Sequence, residues 1–141
     1  MKLFARVLSI TLVAVMLCLC FAACNKEQLI DAGEYIRGDK ALNGYYYGYI
    51  FEEDTFTYGE YLGYVKDEAA SYSGTYSLEI VEKEDKEEQA ADEENMKRYG
   101  FITFYYTDAA GTAVERKEPI EIDDMQGILW IGDLQYNWFE N

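Results

Sequence analysis

Phe101-Ile102-Thr103-Phe104-Tyr105-Tyr106-Thr107 is the stretch on which the fold turns. Side chains on an extended chain alternate between two sides, so Phe101, Thr103 and Tyr105 share one side and Ile102, Phe104 and Tyr106 the other. Aromatic and β-branched residues fit a pleated surface, which predicts a strand over 98–107. Large apolar residues on both sides imply a strand covered on both faces, or one lining a filled barrel.

Downstream, 108–112 is a short hairpin turn in which Gly111 is free to take a positive φ. Residues 113–122 return as a more polar strand. Pro119 has no N–H to give a ladder, so that strand is an edge or is bulged there. Asp123-Asp124 turns the chain, and 126–131 with 134–139 form a last hairpin about Gly132-Asp133. Upstream, 82–95 is rich in glutamate and aspartate and has no apolar residue larger than alanine, so it is a solvated loop or a short exposed helix. Strands are expected over 71–81, over 55–65 with a break near Gly59, and from Tyr45 to Phe51. Tyr45, Tyr47, Tyr49 and Phe51 share one face of that first strand, opposite Tyr46, Gly48 and Ile50. About seven short strands with regular turn signals predict a mostly β domain over 44–141, a small antiparallel meander closed into a barrel or sandwich.

The beginning of the chain is different in kind. Lys2 and Arg6 precede a run from Val7 to Ala23 whose only polar side chains are Ser9, Thr11, Cys18 and Cys20. A positive start, an apolar run and small residues at its end predict a signal peptide with a helical core over 1–23; a membrane-spanning anchor is the alternative reading. Residues 24–43 then look like a tether. Leu29, Ile30, Tyr35, Ile36 and Leu42 are their only large apolar residues, and Gly33 and Gly38 break the run.

Composition narrows function more by exclusion than by motif. The formal charge is −15, and removing the run with Lys2 and Arg6 leaves 10 basic against 27 acidic residues, about −17. Such a surface repels nucleic acid and suits solubility, cations or a cationic protein partner. There is no histidine, the commonest general base and the commonest ligand for zinc or copper. Ser71, Ser73 and Ser77 therefore have no imidazole to activate them, and no phosphate loop or dinucleotide fingerprint is present. With 27 carboxylates some pair always stands at a glycosidase distance, which carries no specificity. Glu52-Glu53-Asp54 and Asp123-Asp124 match no ordered calcium loop and read as acidic turns. No catalytic residue, metal ligand or cofactor is expected.

Phe21-Ala22-Ala23-Cys24 resembles the bacterial lipobox. The resemblance implies lipidation at Cys24, cleavage before it, and an extracytoplasmic protein held to the cell membrane by its lipid. Ordinary secretory cleavage near Ala23 would instead leave Cys24 a free thiol. The order of features over the last hundred or so residues resembles small lipocalin-like bacterial lipoproteins. It rests on the glycine-aromatic start Gly44-Tyr45-Tyr46-Tyr47, the triplet Gly74-Thr75-Tyr76, and the aromatic final strand over 134–139. This implies a barrel with an apolar cavity and no particular reaction. The expected function is a non-enzymatic binding module for a small apolar ligand or a glycan. The alternative is an acidic protein-interaction module, such as an inhibitor of a cationic secreted enzyme. The candidate binding residues are Tyr45, Tyr47, Tyr49, Tyr58 and Tyr61, whose rings offer contact area and whose hydroxyls offer hydrogen bonds.

Overall fold

A computed structural model describes residues 29–140. The expected signal helix over 1–23, the lipidation site Cys24 and residues 25–28 lie outside the described residues. The described residues form β1 (Gly33–Asp39), β2 (Tyr45–Glu52), β3 (Thr55–Leu62), β4 (Val65–Lys66), β5 (Tyr72–Ile80), one α-helix among them, α1 (Lys86–Glu94), β6 (Lys97–Thr107), β7 (Ala113–Asp123), β8 (Ile128–Ile131) and β9 (Leu134–Phe139). Every pairing is antiparallel. β1 pairs with both β2 and β9, and β3 with both β2 and β5, so eight strands close a barrel and the two-residue β4 hangs on β3.

The alternation in 101–106 decides what faces inward. Ile102 and Phe104 are fully buried, and Phe51, Phe56, Ile122 and Leu129 meet them from the surrounding strands. Aromatic rings continue the packing: Phe56 lies edge-on to Phe104 at 4.7 Å, Tyr49 stacks on Phe104 at 5.4 Å and on Phe51 at 5.6 Å, and Tyr76 meets Phe51 at 5.1 Å. A barrel of eight strands has an interior just wide enough for its own side chains to fill. Strand curvature is set partly by Gly74 and Gly100, where a Cβ would run into the carbonyls of Tyr105 and Glu79.

One end, the floor, is plugged by the chain itself. Ile30 is buried in the core, and its N–H donates to the Tyr76 hydroxyl (3.1 Å), which donates in turn to the Glu53 carbonyl (2.6 Å). Arg98 grips Asp124 through Nε (3.0 Å) and Nη2 (3.1 Å), and its Nη1 donates to the Leu29 carbonyl (3.0 Å). A bidentate pair of this kind is strong and directional.

Four expectations are corrected or sharpened. Residues 33–39, read as tether, form β1, the strand that closes the barrel; backbone pairing on both sides compensates for few apolar side chains. β3 runs unbroken through Gly59, and the break falls at Gly63-Tyr64, where both residues take positive φ (64° and 68°). Pro119 causes no bulge. The β6–β7 register is continuous from Lys97↔Asp123 to Thr107↔Ala113, and Pro119 sits where the β8 ladder has ended, at an edge. The acidic segment 82–95 contains α1, capped by Asp85, whose carboxylate accepts from the N–H groups of Glu87 and Glu88; the helix buries no residue.

Candidate functional site

The five tyrosines do not share a face. Tyr49 is core, with Phe51, Phe104, Tyr58 and Tyr136 packed round it. Tyr58 is half-buried inside the barrel and donates to Glu60 Oε1 (3.0 Å). Tyr61 lies outside, stacked on Tyr46 at 4.4 Å. Burial in that stack, helped by the Tyr61 hydroxyl and Glu34, pushes the Tyr46 phenol up to about 12. Tyr47 stands at the rim with the Arg37 guanidinium 5.7 Å from its ring centre, and Tyr45 is exposed at the start of β2. The cluster read along β2 and β3 is therefore divided among core, rim and outer wall. A strand alternates sides and a barrel wall has an inside and an outside.

The mouth, opposite the floor, has its own polar network. Arg116 projects inward from β7, donating to the hydroxyls of Tyr72 (2.8 Å) and Tyr49 (3.0 Å), with its guanidinium 4.9 Å from the Phe104 ring centre. Burial alone would favour its neutral form, but Tyr49, Tyr72 and Glu118 outweigh this and hold the guanidinium charged. Burial is also the first cause of the raised tyrosine values at 49, 58, 72 and 136. These phenols stay protonated at neutral pH and offer hydrogen bonds and ring faces.

The aromatic face that sequence reasoning missed lies on the outer wall of β6, β7 and β8. Cross-strand register sets Tyr99 beside Glu121, Glu121 beside Trp130, and Trp130 beside Gln135 on β9. Phe101 and Pro119 form the adjacent row. With Val81 and Gly132 they line a groove of about 420 Å³, a volume in the range of small-ligand sites. Trp130 and Phe101 are 38% and 39% exposed, large for side chains with no apolar cover. Lys117 Nζ sits 4.8 Å over the Phe101 ring and Lys83 Nζ 4.3 Å over Tyr99. Lys117 also reaches Glu79 (3.3 Å) and Lys83 reaches Asp92 (2.7 Å), so the groove is flanked by ion pairs. The signal for this face was the odd-numbered half of 101–106: a wall strand with apolar residues on its solvent side needs a cover or a partner.

The acidic turns are engaged structurally. Asp123 accepts from the Gln126 N–H and Asp124 holds Arg98. Among the described residues no three acidic or cysteine side chains converge as a metal site, and no helix is long and apolar enough to cross a membrane. Comparison with protein-family models, curated proteins and solved structures finds no match to this chain.

Proposed function

We propose that this chain is a membrane-anchored extracytoplasmic lipoprotein, tethered through Cys24, whose barrel is a non-enzymatic binding module for a glycan. The apolar run and Phe21-Ala22-Ala23-Cys24 support the anchor. An eight-stranded antiparallel meander supports the lipocalin-like reading. The interior is filled by Phe51, Phe56, Phe104 and Tyr49, which argues against a small apolar ligand held inside.

The observation that carries the glycan reading is the outer groove. Flat rings at Tyr99, Phe101 and Trp130 suit the C–H faces of pyranose rings, and the carboxylate of Glu121 between two of them is an acceptor for sugar hydroxyls. The acidic surface selects neutral or amino sugars over anionic polymers.

The test is a titration of the full chain, kept in detergent, with neutral and amino-sugar oligosaccharides, following melting temperature and tryptophan emission. A ligand that binds only the folded state at a hundred times its Kd stabilises it by about 2.7 kcal/mol. We expect a rise that persists in high salt and is lost in Trp130→Ala, whose own melting temperature stays near that of the parent. A panel without any shift, or an undiminished shift in Trp130→Ala, rejects the reading.

A further inference from the structure

β7 outruns its neighbour. Its first half keeps β6 on one side in unbroken register, from Thr107↔Ala113 to Phe101↔Pro119. On the other side β8 pairs only with Ile120, Glu121, Ile122 and Asp123. The Pro119 carbonyl accepts from the Gly132 N–H at 2.9 Å, so it points to the β8 side. Backbone groups alternate along a strand, so the N–H and C=O of Ala113, Glu115 and Lys117 point the same way. Among the described residues no strand pairs with them there. β1 likewise pairs with β9 only through Glu34, Tyr35 and Ile36, so its last three residues carry no strand on that side. Above the short β8–β9 hairpin the wall thus has a slot, and the free length of β7 is about 20 Å.

We propose that this slot receives an extended, basic segment of a partner protein, added to β7 as a further strand. Strand addition takes its affinity from main-chain hydrogen bonds and its selectivity from the alternate side chains beside them. Two features give the sign of the partner. The cations along this edge are already committed, Arg116 to Tyr72 and Tyr49, and Lys117 to Glu79. Glu115 on the edge and Asp133 at the hairpin tip have no side-chain hydrogen bond or ion pair among the described residues, and the whole chain carries −15. Charged residues on an edge guard it against aggregation. Here the guard discriminates by sign: a second acidic copy is repelled, and a lysine- or arginine-bearing strand is attracted. The site adjoins the outer groove, which shares Pro119 and Gly132 and is flanked by Lys117, but it takes main-chain hydrogen bonds and does not depend on glycan binding.

The probe is a short blocked peptide of alternating lysine and valine, titrated into the full chain at low salt, with amide hydrogen exchange read residue by residue. Protection of the Glu115 and Lys117 amides is expected. Glu115→Pro removes an edge N–H while leaving the β6 ladder whole, and should weaken the peptide about ten-fold, the scale of one lost hydrogen bond. Glu115→Gln reports the charge alone, and Trp130→Ala should leave peptide affinity unchanged. The proposal is overturned if the basic peptide does not bind, or if a peptide N-methylated at alternate amides binds as tightly, which would mean charge without pairing. It is equally overturned if Glu115→Pro abolishes a concentration-dependent dimer of the chain itself, since the occupant would then be a second copy.

Discussion

Arg116 shows how much one inward side chain carries at the mouth. Its two terminal nitrogens satisfy the hydroxyls of Tyr72 and Tyr49, and Tyr49 is only 3% exposed. Replacing Arg116 by methionine leaves that buried hydroxyl without its donor. We expect a loss of about 1–3 kcal/mol in urea unfolding, and a double change, Arg116→Met with Tyr49→Phe, that costs less than the two changes separately. Residue identity told part of this in advance. The alternation in 101–106 correctly put Ile102 and Phe104 on one side, but tyrosine is ambiguous by nature, apolar in its ring and polar at its tip. Tyr49, Tyr61 and Tyr47 have the same chemistry and sit in core, outer wall and rim. What separates them is which side of the wall each faces and how far along the barrel it sits, and no local signal carries that.

At the scale of elements, β1 and the plug before it were the least legible. Gly33–Asp39 offers two large apolar residues, two glycines and three charged side chains, a poor strand by propensity. It is a strand because β2 and β9 each present a free edge to it, and closing a barrel satisfies both at once. β6 is the opposite case: its pattern is strong enough to be read without knowing its neighbours. The value of the plug can be measured directly. Ile30→Ala removes buried methyl groups from the floor and should cost about 2–4 kcal/mol, seen as a lower denaturant midpoint with an unchanged slope. A null effect would mean that the floor is closed by other residues. The helix illustrates a limit of a different kind. The composition of 82–95 excluded a core role, and Asp85 with its two amide hydrogen bonds explains why the chain winds there at all.

For the whole molecule, the buried tyrosines link stability to alkaline pH. Tyr35, Tyr49, Tyr76 and Tyr136 are each under 5% exposed, and burial is the first cause of their raised values. In the unfolded chain they ionise near pH 10. Between that point and their folded values the unfolded state sheds protons that the folded state keeps, so stability is complete below pH 10 and falls as pH rises. Each contributes a slope of up to about 1.4 kcal/mol per pH unit. With four acting together, the barrel should unfold cooperatively within one or two units above pH 10, and tyrosinate absorbance should rise in the same step as the loss of far-ultraviolet dichroism. Independent, gradual ionisation of a folded barrel would contradict this. The closed meander was legible from the rhythm of turns, whereas the slot beside β7 was not, because it exists only through the shortness of β8 in three dimensions. The plug has one more consequence. The chain enters the barrel through its floor at Leu29 and Ile30, while the β1–β2 and β6–β7 turns crown the opposite end. On the proposed reading the protein stands upright on its tether like a cup on a stem, base toward the lipid, with the bare edge of β7 held at the greatest reach from the bilayer.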